Sequence, residues 1–224
     1  TPPRRMNGEL TLALEAATSN GSVAVLRGSE LLASCEVAMR GGAEERLLPA
    51  IDSALAEARA TTHDLARIVC GAGPGSFTSL RVAASLAKGI AFARALPLFA
   101  IPSLALIAAD ALLADGIYIA VLDALRDELF AGAYARAGST VTELAPIRLL
   151  DRNAIEREAE SLRASIVGPE EKPRTPPRAE NVVRLATWLE VPPVPLAAWE
   201  PDYGRLAEAQ VKWEQAHGRP LPVE

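Results

Sequence analysis

The chain has 224 residues and is short of several things that proteins use for chemistry or for holding on to partners. It has two cysteines and two histidines. Cys35 and Cys70 each sit within a β-branched or apolar run that reads as a strand, where a free cysteine behaves as a small apolar side chain. That excludes a disulfide framework, and the two histidines, His63 and His217, are too few and too far apart for a histidine metal site or a serine triad. Basic charge is scarce as well: the net charge is −5, which argues against gripping nucleic acid with its own surface. No apolar run reaches the roughly 18 residues of a membrane span, and Thr1 to Met6 lacks the apolar stretch of a secretion signal, so a cytoplasmic protein with no membrane contact is expected. From Leu65 to Ala109 there is no acidic residue at all.

What fills that acid-free stretch organises the chain. A short strand, Arg67-Ile68-Val69-Cys70, runs into Gly71-Ala72-Gly73-Pro74-Gly75-Ser76-Phe77-Thr78 and then into an apolar helix from Ser79 to Leu96, stopped by Pro97. Apart from Arg81, Lys88 and Arg94, nearly every face of the helix is apolar or small. A surface helix needs only one apolar stripe, so this one is expected to be covered on more than one side.

Around it the elements fall in order. Leu10 to Ala17, Ser22 to Arg27 and Glu30 to Ala38 read as an antiparallel three-strand meander, its first turn marked by Asn20-Gly21. Leu47, Leu48, Ile51, Leu55 and Ala58 recur at helical spacing, with Pro49 admissible only in the first turn. A strand at Leu98 to Ala100 closes the first half. The order then begins again: strands at Ile117 to Leu122, Glu128 to Ala135 and Val141 to Leu149, a polar helix from Asp151 to about Arg163, a short strand Ser165-Ile166-Val167 and a helix near Ala179 to Leu189. Element order alone thus divides the chain into two halves of like topology, residues 1–105 and 106–224. A last helix is expected from Arg205 to His217.

The glycine turn fits the known phosphate loops badly. A Walker loop ends Gly-Lys-Ser/Thr, whereas Gly75 is followed by Ser76-Phe77. The dinucleotide fingerprint needs a glycine where Ser76 stands and an acid about 20 positions on. A nucleophile elbow needs glycines where Pro74 and Thr78 stand. The remaining candidates for a phosphate or magnesium site are Gly75, Ser76, and the carboxylates Glu15 and Asp123, which end corresponding strands of the two halves. A tight turn and two turn-capping acids explain the same residues without any ligand.

Gly73-Pro74-Gly75-Ser76-Phe77-Thr78-Ser79-Leu80-Arg81 with Ala87-Lys88-Gly89 closely resembles the most recognisable stretch of the bacterial TsaB (YeaZ) family. Glu45 to Asp52 is similar to that family's first helix, Leu122-Asp123-Ala124 with Arg126 and Glu128 to the start of its second domain, and Pro201-Asp202-Tyr203-Gly204-Arg205 to its C-terminal segment. The resemblance implies an α/β protein of the actin/Hsp70/sugar-kinase-like (ASKHA) fold, with two ribonuclease-H-like domains. It implies a non-catalytic subunit, with no cofactor of its own, for threonylcarbamoyl modification of the tRNA adenosine beside the anticodon. The implied partners are a TsaD-like catalytic subunit, a TsaE-like ATPase and, when alone, a second copy; ATP and magnesium would be used by the complex, and tRNA met only through it. The family's pairing surface lies on its first two helices, which gives Leu47, Leu48, Ile51, Leu55, Leu86, Ile90 and Arg94 as interface candidates, some of which must face the sheet instead. Where the family places an aspartate, threonine and serine, this chain has Glu15-Ala16-Ala17, which removes two hydroxyls from the strand end. The rival expectation is a small ATP-dependent kinase or ATPase of the same fold, using Glu15 and Asp123 with magnesium.

Overall fold

The computed structural model describes residues 8–39, 46–110 and 112–204. Strand β1 (Leu10–Glu15) is buried at every position, because a strand lies on each side of it and packed layers cover both faces. β2 (Asn20–Arg27) and β3 (Glu30–Ala38) come after it, antiparallel. Helix α1 (Leu47–Glu57) then crosses to β4 (Leu65–Gly71), which pairs parallel with β1, and α2 (Phe77–Arg94) crosses to β5 (Leu98–Ile101). The sheet order is β3-β2-β1-β4-β5.

The two-residue period of the strands divides this sheet into two cores. Leu12 and Leu14 of β1, with Val23 and Val25 of β2, face α1 and α2. Ala13 and Ala24 face the other way, toward α3 (Ser103–Ala108) and the second half. In α1, residues Leu47, Ala50, Ile51, Ala54 and Leu55 are the buried set, one stripe of an amphipathic helix. Pro49 falls in its first turn, where no intrahelical N–H is needed. In α2 the sheet-facing residues are small, Ala83, Ala84, Ala87 and Ala91 among them, so the helix lies close to the strands. It ends at Ala95, whose φ of 52° is left-handed, a conformation in which the chain leaves the helix axis.

The second half repeats the order. β6 (Gly116–Asp123), β7 (Glu128–Ala137) and β8 (Thr140–Asp151) form a meander, α4 (Arg152–Leu162) crosses over, and β9 (Ser165–Val167) pairs parallel with β6. Asp151 caps α4, its carboxylate accepting from the Ala154 N–H at 2.7 Å. The order β8-β7-β6-β9 matches the first four strands of the first sheet. Two ribonuclease-H-like halves in tandem are the actin/Hsp70/sugar-kinase-like fold.

Several details differ from the sequence expectations. Asn20 and Gly21 already belong to β2, and the turn lies before them. The helix expected near Ala179 to Leu189 is two short 3-10 turns, Ala179–Arg184 and Ala186–Leu189. α3 was not expected, and the boundary read between residues 105 and 106 falls inside it. Finally, the chain returns to the first half along α2: the Val194 N–H donates to the Leu98 carbonyl at 2.8 Å, Lys88 Nζ to the Trp199 carbonyl at 2.8 Å, and the Asp202 N–H to the Ala72 carbonyl at 2.7 Å. The helix expected from Arg205 to His217 lies outside the described residues.

Candidate functional site

Two surfaces bear on the residues singled out above: a cleft between the halves, lined by Gly75, Ser76 and Asp123, and the outer face of α2, flanked by Leu86, Ile90 and Arg94. The cleft measures about 1150 Å3. Its floor is built where the glycine turn meets the end of β1. The Ser76 N–H donates to the Ala17 carbonyl at 2.7 Å, and a Cβ on Gly75 would stand 2.2 Å from that same oxygen. Gly73, at φ +88°, leaves room for the Asp202 carbonyl, which a Cβ would meet at 2.0 Å. The glycines of the turn are thus explained by two close backbone approaches. Ser76 spends its hydroxyl locally, on Ser79 Oγ at 3.0 Å. Phe77, at the mouth of the cleft, packs against Tyr203 with ring centroids 4.5 Å apart and lies under the Arg81 guanidinium at 5.2 Å.

The two carboxylates do not share this cleft. Asp123 is exposed on its wall, and its Oδ1 accepts from the Leu125 N–H at 2.8 Å as a turn cap. Glu15 is fully buried and outside the lining. Its Oε1 accepts from the Ala17 N–H at 2.5 Å and its Oε2 from Ser103 Oγ at 2.9 Å. Burial pushes its carboxyl up to about 7, although the hydrogen bonds from Ala17 and Ser103 act the other way. Burial, and to a lesser degree the Glu15 carboxyl beside it, raises the Cys70 thiol far above the ordinary thiol range. A carboxyl in that setting braces β1 against α3. Pairing Glu15 with Asp123 on one magnesium ion therefore loses its first ligand to the core.

The helix candidates divide. Leu47, Ile51 and Leu55 are 0%, 1% and 4% exposed and pack on the sheet, which corrects their placement on an interface: the single apolar stripe of α1 is consumed by its own core. Leu48 is exposed, while Leu86, Ile90 and Arg94 are half-buried at the flanks of α2. The outward side of α2 is Thr78, Arg81, Ser85, Gly89, Phe92 and Ala93. Arg81 is its one charged residue, and Phe92 is 81% exposed. A Cβ at Gly89 would touch nothing within 4 Å. Phe92 was missed in the sequence, although placing the alanines at 83, 87 and 91 on the sheet side puts residue 92 outward by one helical step.

The family model described as TsaD, tRNA N6-adenosine threonylcarbamoyltransferase, matches residues 37–157, more than half of the chain. The tRNA threonylcarbamoyladenosine biosynthesis protein TsaB of Bacillus subtilis (strain 168) is 26% identical over 223 residues, covering 90% of this chain and 96% of that one. The chain belongs to the TsaB (YeaZ) family. TsaB of Haemophilus influenzae is 36% identical over 122 residues, about half of each chain. Among solved structures, YeaZ from Pseudomonas aeruginosa superposes with a TM-score of 0.72 at 28% identity, over 87% of this chain and 99% of that one. A second Pseudomonas aeruginosa structure, of a protein with similarity to the peptidase YeaZ, reaches a TM-score of 0.76 at 28% identity, over 88% of this chain and 100% of that one. Within this TsaB-family chain the matched region runs from the end of β3 into α4 and so contains the whole glycine turn and α2.

Proposed function

We propose that this TsaB-family chain acts in tRNA threonylcarbamoyladenosine biosynthesis as a non-catalytic subunit that binds and activates a TsaD-like catalytic chain. The observation that carries the reading is Phe92, 81% exposed on a helix face that is otherwise small and nearly uncharged. Burying such a side chain contributes about 2–3 kcal/mol, and the small residues around it let a second helix come close. The same face serves a second copy of the chain when the partner is absent. A TsaE-like ATPase and the tRNA join through the complex, which uses ATP and magnesium, while this subunit holds no cofactor of its own.

The test is a calorimetric titration against the TsaD-like subunit of the same organism. Phe92→Asp is expected to weaken binding at least tenfold, about 1.4 kcal/mol, and to leave the melting temperature unchanged, since nothing packs over an exposed ring. Unchanged affinity would remove α2 from the interface. The rival reading, a small ATP-dependent kinase or ATPase, draws on the cleft between the halves. It requires nucleotide hydrolysis by the chain alone that disappears in Asp123→Ala.

A further inference from the structure

Two halves of a chain move against each other unless a large apolar interface joins them. Here one does. Ala24 and Leu26 of β2 and Val69 of β4 belong to the same buried core as Tyr118 and Leu122 of β6 and Tyr134 of β7. α3, buried along its whole length, lies within it. The cleft is therefore the open side of a shared core.

Charge then ties the two crossings between the halves to each other. Asp110 follows α3 on the first crossing, and Arg178 ends the loop at 168–177 on the second. Arg178 Nη1 stands 3.6 Å from Asp110 Oδ2, whose side chain is 2% exposed, and Arg178 Nε donates to Glu36 Oε1 of β3 at 2.7 Å. Asp110 in turn accepts from Arg136 of β7 on its carbonyl, while its Oδ1 accepts from the Leu112 N–H at 2.9 Å. Two buried hydrogen bonds hold the backbone next to Arg178 in place. The Ala179 N–H donates to Ser22 Oγ at 2.9 Å, and Asn181 Nδ2 donates to the Leu106 carbonyl at 3.0 Å. Shielded from water, such bonds are electrostatically stronger than exposed ones. β3 of the first half and β7 of the second are thus joined through Glu36, Arg178, Asp110 and Arg136, and Glu36 also lines the cleft.

We propose that this series of contacts is a lock, which holds the two halves at one angle and the cleft at one width. Closure of domains around a ligand, by which many enzymes exclude water from a reaction, is then denied to this chain. It meets any partner as one rigid body. The lock does not depend on the partner role of α2.

The test is the distribution of distances between spin labels on Ser19→Cys and Leu149→Cys, one from each half at the cleft, in the full chain carrying Cys35→Ser. One narrow distance is expected, unchanged by ATP and magnesium, and Arg178→Gln is expected to widen the distribution at least twofold. Arg178→Gln leaves a buried carboxylate without its cation, which is costly. If that chain fails to fold, Arg178→Gln combined with Asp110→Asn replaces it and keeps the acceptor for Leu112. Arg152→Gln, which breaks an ion pair with Glu171 inside the second half, is expected to leave the distribution as it was. Two distances in the parent chain, or a shorter one with ATP and magnesium, overturn the proposal. So does a distribution that loss of Arg178 leaves unaltered, or one that Arg152→Gln widens equally.

Discussion

Glu15 closes β1, and Asp123 closes β6, the corresponding strand of the second half. One is fully buried between β4 and α3, holding hydrogen bonds from Ala17 and Ser103; the other stands in solvent and caps a turn. The strands around them pair in the same order and sense. The halves part company only after their fourth strands. Beyond β4, the turn, α2, β5 and α3 fold back over the strand end and bring Ser103 to the carboxyl. Beyond β9 the chain leaves through the loop at 168–177 toward the first half, and β6 turns sharply through Leu125, Arg126 and Asp127, all with φ near +60°. A repeat of strand topology therefore carries the backbone pairing across the two halves and leaves the chemistry of each strand end to the elements that cover it.

Three measurements bear on that contrast. The largest effect belongs to Gly71→Ala, whose new Cβ would lie 1.8 Å from Glu15 Oε2. It is expected to cost about 3 kcal/mol in denaturant unfolding, and much less on a Glu15→Ala background, where the obstructing carboxyl is gone. Equal costs on both backgrounds would mean that Glu15 does not fill the space beside Gly71.

The second effect is one of pH. Burial raises Glu15 from its ordinary 4.5 to about 7, so between those values the folded chain keeps a proton that the unfolded chain has released. The stabilisation is complete below pH 4.5 and is lost as pH rises through about 7, up to about 3 kcal/mol in all. Glu15→Gln is expected to flatten this difference curve, its amide oxygen still accepting from Ala17 and its NH2 donating to Ser103. Unfolding curves for the two chains measured from pH 4 to 8 that stay parallel would contradict a raised, buried carboxyl. The smallest effect is Asp123→Ala, which removes one exposed turn hydrogen bond and is expected to cost about 0.5–1.5 kcal/mol by thermal melting. A loss as large as that of Gly71→Ala would erase the contrast between the halves.

Most of the frame was legible in the sequence because its signals are local. The meander strands, the α1 stripe, the glycine turn and the second-half strands all read directly from period and punctuation, with ends shifted by about two residues at β1, β2, β4, α2, β7 and β8. α3 was not legible, since Ser103 to Ala108 is buried on every side and shows no period to distinguish helix from loop. The return of residues 194–204 along α2 was equally hidden, because its hydrogen bonds join positions about a hundred residues apart. The same limit misplaced Glu15. Its position at a strand end was visible, but its burial depends on Gly71 and Ser103, which no local pattern connects to it. On the helices, periodicity found the apolar residues of α1 and could not say that its own sheet uses them up. Phe92 shows the converse: the alanine spacing that seats α2 on the sheet is what turns its ring outward.

The partner role of α2 is tested most directly by the mass in solution of this chain, alone and mixed with the TsaD-like subunit of the same organism, by light scattering after size exclusion. A one-to-one complex that replaces the free chain, and that Phe92→Asp fails to form, is the result predicted. No complex at all, or one formed equally by Phe92→Asp, would contradict it.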